Sequence, residues 1–264
     1  MRKNPEVYFF SVCDGHGYYG EKVSGFVKQR YPAILENEHT LLTNNKVAIT
    51  SAVTKVASEL GMVNFDINFS GTTMIQVLME GNKLWCGNIG DSRALMARLL
   101  SDGPSERNPG RHWMSIALSR DHKPDERDEA MRIFQNGGRV ESYQDEEGNP
   151  LGPARVWLKN ENIPGLAMSR SLGDLVAASV GCIFEPEILE YGITPDDKFI
   201  VLGSDGIFEF LSNEDVVRIV VPYWKSGDIQ GACDALAKEA RDRWIKEEEV
   251  IDDITCVIVF LQPS

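Results

Sequence analysis

The chain has 264 residues, with 27 Lys+Arg against 40 Asp+Glu and a formal net charge of −13. Such a surface repels polyanions, and no run of Lys or Arg supplies the basic patch that nucleic-acid binding or docking on an anionic membrane face requires. A hydrophobic content of 42% with 25% charged residues excludes a disordered or collagen-like chain and leaves a globular protein long enough to bury a sizeable core.

The β-branched and aromatic run 7–13 stops at the glycine cluster Gly15, Gly17, Gly20 and reads as a buried strand ending in a tight loop. Over 21–35 the residues Val23, Phe26, Val27, Tyr31, Ile34 and Leu35 recur at three- and four-residue spacing, which predicts an amphipathic helix. A second helix is expected over 45–60, stopped by Gly61. Short strands follow at 72–79, 83–86 and 92–99, separated by turn residues at intervals that favour antiparallel pairing. Residues 101–111 carry Gly, Pro, Ser and Asn and are expected to form an exposed loop. A short charged helix is expected over 125–134, and 144–153 has no periodicity and is expected to be mobile. Residues 199–204 read as a buried strand, 216–221 and 229–245 as helices, and 254–261 as a closing strand. No fixed-period repeat or linker divides the chain, so a single domain over 1–264 is expected.

Five cysteines, Cys13, Cys86, Cys182, Cys233 and Cys256, are odd in number, widely spaced and mostly set in apolar runs. They read as buried thiols of a protein in a reducing, intracellular compartment, cytoplasmic or nuclear. No signal-peptide pattern and no apolar stretch of membrane-spanning length is present. No long apolar heptad run demands a partner chain, and a monomer is expected.

Three apolar strands stop at an aspartate beside glycine or a second acid: Asp14 before Gly15, Asp205 before Gly206, and Asp252 next to Asp253. A fourth acid, Asp91, lies between two strands after Gly90. Each pair alone is an ordinary turn. Together, carboxylates converging at strand ends repel one another unless protonated or metallated, and oxygen ligands without Cys or clustered His select a hard divalent ion, Mg²⁺ or Mn²⁺.

The order of short motifs is more specific than any one of them. Asp-Gly-His-Gly at 14–17, Ser-Gly-Thr-Thr at 70–73, Gly-Asp-Ser-Arg at 90–93, Asp-His-Lys-Pro at 121–124, Ser-Arg-Ser-Leu-Gly-Asp at 169–174, Glu-Pro-Glu at 185–187, Gly-Ser-Asp-Gly at 203–206 and Asp-Asp-Ile-Thr at 252–255 follow one another. The series resembles the metal-dependent protein serine/threonine phosphatases of the PPM family, also called type 2C. That resemblance implies an α/β (α+β) fold, a four-layer αββα sandwich of two antiparallel sheets flanked by helix pairs. It also implies that Asp14 bridges two metal ions, with the Gly15 carbonyl on one of them. Asp205 and Asp252 would hold the other ion, and Asp91 with Asp205 would make a weaker third site. The activity implied is hydrolysis of phosphoserine and phosphothreonine in phosphorylated protein substrates by a water bridging the two ions. His16, beside Asp14, would then be the general acid for the departing oxygen; the other reading of His16 is a loop histidine that only orients a ligating carboxylate.

Arg93 and Arg170 stand in motifs that the family uses structurally, and His122 is expected to fix a turn. Residues 137–164 correspond to the family's variable flap and are expected to form a substrate-selecting rim. Two departures stand out. The 13 residues before Asp14 hold one acid, Glu6, and lack the arginine and acidic pair that relatives carry upstream. The chain is therefore expected to lack the first strand or strands of the domain, which keeps a second reading open, that of an inactive phosphatase-like scaffold. Asp253 stands where relatives usually have asparagine, so either it or Asp252 is the ligand, with Asp252 preferred by position.

Overall fold

The computed structural model describes residues 1, 6–100, 113–248 and 250–261; the loop expected over 101–111 lies outside them. In chain order the elements are β1 (Val7–Val12), β2 (Gly15–His16), α1 (Gly20–Glu36), α2 (Asn45–Leu60), β3 (Gly71–Thr72), β4 (Met74–Glu80), β5 (Lys83–Ile89), β6 (Arg93–Leu99) and β7 (Trp113–Ala117). They continue as α3 (Arg127–Gln135), β8 (Gly138–Gln144), β9 (Pro150–Leu158), β10 (Pro164–Leu166), β11 (Leu172–Gly173) and α4 (Leu175–Ala178). The last are β12 (Glu187–Gly192), β13 (Asp197–Gly203), α5 (Asp205–Phe208), α6 (Asn213–Ser226), α7 (Ile229–Glu247) and β14 (Cys256–Phe260).

Two four-stranded antiparallel sheets form the centre, ordered β1-β4-β5-β12 and β14-β13-β6-β7. The period-two alternation of their strands decides which side chains meet between the sheets. Ile75, Val77 and Met79 of β4 join Ala94 and Met96 of β6 and Ile200 and Leu202 of β13 in the inner layer. The intervening residues face outwards under helices. Met74 and Leu78 pack with Val23, Val27, Tyr31 and Leu35 of α1 and with Ile49, Val53 and Val56 of α2. On the other sheet Phe199 and Val201 pack with Val216, Val217 and Val220 of α6 and with Ala232, Leu236 and Ala240 of α7. Three apolar layers between four layers of backbone make the αββα sandwich. Burial of each such Leu or Ile contributes about 1.5–3 kcal/mol.

Helix termini follow local chemistry. Asn44 caps α2 by accepting from the Val47 amide, and Ser212 and Asp215 form a reciprocal capping box at the start of α6. That cap lengthens α6 beyond the expected 216–221, and the helix continues through Pro222. Residues 144–153 differ from expectation too. Gln144 ends β8 and Pro150 begins β9, so the acidic stretch is the turn of a hairpin, tied by Asp145 accepting from the amides of Glu147 and Asn149.

Candidate active site

The aspartates at the strand ends are held from beneath by backbone and hydroxyl contacts. After β1 the chain turns into the two-residue strand β2, which pairs with β3, itself paired with β11. The Asp14 amide donates to Thr73 Oγ1 (3.0 Å), while Thr72 Oγ1 (2.9 Å) and the Thr73 amide (2.9 Å) donate to the Asp14 carbonyl. Thr73 in turn shares a hydrogen bond with Ser92 (2.7 Å), next to Asp91. The Ser-Gly-Thr-Thr and Gly-Asp-Ser-Arg motifs thus brace the backbone on which Asp14 and Asp91 ride.

Asp205 is braced from the opposite sheet. Ser204 Oγ donates to the Asp253 carbonyl (2.9 Å) and accepts from the Thr255 amide (3.1 Å). Trp244 Nε1 of α7 donates to the Gly206 carbonyl (2.8 Å). A Cβ on Gly206 would stand 2.3 Å from the Asp253 carbonyl oxygen, so only glycine lets these loops meet.

These braces bring carboxylates from both sheets together. The Asp14 and Asp205 carboxyls lie within hydrogen-bonding reach of one another, with Asp91 and Asp252 close enough to act on both electrostatically. Burial raises the pKa of Asp14 above the usual carboxylate range, and the charges of Asp252 and Asp91 add to the rise. Asp205 is raised further, first by burial and then by Asp91, Asp14 and Asp252. One oxygen of Asp205, Oδ1, is buried with no hydrogen-bond partner. The charge of Asp252 acts on both Asp14 and Asp205, and Asp253 contributes its backbone carbonyl to Ser204.

Asp91 differs from the other three because it has an internal cation, the Lys123 ammonium at 2.7 Å. Among the described residues no three His, Cys, Asp or Glu close around a single point as a finished ligand set. What exists is a pair of half-buried acids with raised pKa values and an unpartnered oxygen, an arrangement that a hard divalent cation fits.

His16 is placed beside Asp14 by β2, and its Nε2 lies 2.6 Å from Asp174 Oδ2. Burial alone would depress its pKa, but the hydrogen bond and charge of Asp174, with Asp91 and Asp14, outweigh this and raise it. With Nε2–H donated to Asp174, Nδ1 is left buried and without a partner. Room for the pair comes from Gly71, where a Cβ would lie 2.0 Å from Asp174 Oδ2 and 2.8 Å from His16 Nε2. Asp174 itself adopts a left-handed conformation, φ 47°, its amide donating to the Ser70 carbonyl (3.0 Å).

Asp174 and Lys123 were not singled out by sequence reasoning, although both stand in quoted motifs. The cue for Asp174 is an acid directly after glycine and before an apolar helical turn. Arg93, Arg170 and His122 are engaged within the fold. Arg93 bonds Asp121 through both Nε (2.9 Å) and Nη2 (2.6 Å), and Arg170 bonds Glu129. His122 is fully buried, accepts from the Gly90 amide on Nδ1 (3.1 Å), and is kept neutral by burial and three neighbouring arginines, its pKa pushed down to about 3.

Comparison with known proteins shows the family. Residues 1–248 match the Protein phosphatase 2C family. The chain is 38% identical to probable protein phosphatase 2C 35 of Arabidopsis thaliana, covering 98% of this chain and 75% of that protein. It is 35% identical to probable protein phosphatase 2C 72 of the same plant, covering 95% and 76%. The fold superposes on a serine-threonine phosphatase 2C from Toxoplasma gondii with a TM-score of 0.77 at 19% identity, over 99% of this chain and 87% of that one. The family match over residues 1–248, the shared fold and relatives similar over nearly the whole chain lead to one conclusion: the chain belongs to the protein phosphatase 2C family.

Proposed function

We propose that the protein hydrolyses phosphoserine and phosphothreonine in proteins and depends on two divalent ions, Mg²⁺ or Mn²⁺. The observation that carries this reading is the Asp14–Asp205 pair, two half-buried acids whose raised pKa values are offset by no Lys or Arg among the described residues and, at Asp14, only in part by His16. Asp14, the Gly15 carbonyl, Asp205 and Asp252 would hold the ions, with Asp91 contributing to a weaker third position once Lys123 releases it. When bound, the ions supply Lewis acidity and positive charge to the phosphate oxygens during in-line attack by water.

This chain's own residues do the rest. The serine or threonine oxygen is a poor leaving group and needs a proton as its bond to phosphorus breaks. Asp174 fixes the ring of His16 through Nε2, which leaves Nδ1 as the nitrogen that would hand over that proton. The β8–β9 hairpin with β10 forms a rim beside His16 and supports a role for 137–164 in choosing substrates. No described helix is long and apolar enough to cross a membrane, and the proposed partners are phosphorylated proteins, met by a monomer inside the cell.

A second reading, a phosphatase-like scaffold without turnover, is favoured by the absence of a closed ligand set among the described residues. Release of phosphate from a phosphothreonine peptide, measured with Mn²⁺ and with chelator, separates the two. Mn²⁺-dependent release supports the enzyme; its absence leaves the scaffold.

A further inference from the structure

A cavity of about 260 Å³ opens beside His16, under the rim. Its lining includes His16, Asp174, Phe69, Arg155, Leu166 and Met168, and none of Asp14, Asp91, Asp205 or Asp252. Arg155 is the cation of this space, and its guanidinium is held in place. Nη1 donates to the Gly165 carbonyl at 2.7 Å, and the group lies over the Tyr143 ring at 5.1 Å.

The other edge of the same guanidinium has nothing to hold. Arg155 Nε is buried and without a hydrogen-bond partner among the described residues. Elsewhere in this protein the Nε–Nη2 edge grips a carboxylate with two bonds: Arg30 on Glu59, Arg93 on Asp121, Arg98 on Asp197. Arg139 also has an unpartnered Nε, but its amino groups are engaged by Glu141 and Asn162. Of these arginines Arg155 alone lines this cavity, its Nε shielded and its Nη2 engaged by no described residue, and a guanidinium amino group suits carboxylate and phosphate oxygens. Gly165 and Tyr143 have already restricted its motion, so binding an anion there costs little further side-chain entropy. The one acid in the lining, Asp174, is 3% exposed and engaged by His16, so it presents little charge to the space.

We propose that Arg155 is the anion-binding residue of a substrate subsite, taking through its Nη2 amino group a carboxylate or second phosphate on a side chain next to the phosphoresidue being hydrolysed. The assignment to a flanking side chain follows from the lining. The hydrolysed phosphate belongs at the carboxylate cluster, whereas the cavity touches that cluster only through His16 and Asp174, on the side of the departing oxygen and hence of the peptide. The proposal rests on the phosphatase reading for the identity of its ligand.

The test compares phosphothreonine peptides identical except for Glu, phosphoserine or Gln at the flanking position. For turnover, kcat/KM is measured on wild type, Arg155→Gln, Arg155→Lys and Arg155→Glu; binding of the matching phosphonate peptides, which cannot be hydrolysed, is followed by fluorescence anisotropy. Wild type should favour the Glu and phosphoserine peptides over Gln, and Arg155→Gln should cut that preference about tenfold, the scale of one charge-assisted contact. Arg155→Lys should keep part of the preference, and Arg155→Glu should reverse it. An equal preference in wild type and Arg155→Gln, or a loss that falls on all three peptides alike, overturns the subsite. Failure of wild type to hydrolyse any peptide would instead sink the phosphatase reading, and the phosphonate binding ratios would still decide the subsite. Should Arg155→Gln not fold, the Lys and Glu variants carry the same comparison.

Discussion

The molecule buries acids in two ways. Glu129 of α3 is fully buried, yet its carboxylate is matched on every side: Arg132 Nη2 at 2.6 Å, Arg170 Nη2 at 2.6 Å and Ser169 Oγ at 2.5 Å. Burial would raise its pKa, but these partners overcome the effect and hold it far below the usual carboxylate range. At Asp14 and Asp205 the same burial meets mainly more carboxylates, His16 offsetting only part of the effect at Asp14, and both pKa values rise. The first site is finished within the chain and locks Ser169-Arg170 onto α3. The second is unfinished, and its deficit is positive charge. Burial of an acid is therefore a stronger mark of a ligand site where the chain leaves its charge uncompensated.

Neutral isosteres should break this symmetry with opposite signs. Asp14→Asn removes one member of the repelling set and a proposed metal ligand. It should lower Mn²⁺-dependent phosphate release by at least about 1,000-fold, the several kcal/mol that Lewis-acid stabilisation contributes. The melting temperature of the metal-free protein should hold or rise. Retained activity would show that the assignment of Asp14 is wrong. Glu129→Gln leaves Arg132 and Arg170 without their counter-charge and should destabilise the fold by about 3–5 kcal/mol, read as a drop in the denaturant midpoint. A loss under about 1 kcal/mol would mean that the ion pairs merely break even with their desolvation cost.

A smaller effect is expected at the junction of the two modes, where Asp174 is a buried acid matched by a single histidine. Asp174→Asn keeps the shape but frees the His16 ring, and kcat for a phosphothreonine peptide should fall about 10- to 100-fold with little change in KM. With p-nitrophenyl phosphate, whose leaving group departs without a proton, the fall should be much smaller. Equal losses on both substrates would reduce Asp174 to a structural support.

The sequence made the finished layers legible and the pairings across them illegible. Alternation in β4, β6 and β13 and the stripe on α2, found over Asn45–Leu60 as expected, arise from burial acting along one stretch of chain. The acids at strand ends were visible because Gly and Asp at a strand end are local signals. Glu129 was not. It sits in a helix expected only to be short and charged, and its burial depends on Arg170, 41 residues away. Lys123 on Asp91 and Asp174 on His16 are contacts across 32 and 158 residues and leave no local pattern. The two-residue strands β2, β3 and β11 are too short for a period to register, and β12, with exposed polar residues at an edge, lacks a run of apolar residues.

The mildest test uses protons in place of mutations. In the folded, metal-free chain Asp14 and Asp205 retain protons that the unfolded chain has released, so the native state binds more protons and stability must fall as pH rises. His16, also raised, acts in the same sense. His122 acts in the opposite sense, because its folded pKa lies below the unfolded value of 6.5, but above that pH it is neutral in both states and drops out. Glu129 and Asp197, both depressed, are ionised throughout this range whether folded or not. From pH 6.5 upward the melting temperature in chelator should therefore decline, with a slope of at most about 1.4 kcal/mol per pH unit for each proton difference. Saturating Mn²⁺ should flatten or invert the slope, since a cation binds the ionised carboxylates and gains from their deprotonation. Asp14→Asn should flatten it without metal. A stability that stays level or climbs across this window in chelator would mean that Asp14 and Asp205 are already compensated, and that the contrast with Glu129 does not exist.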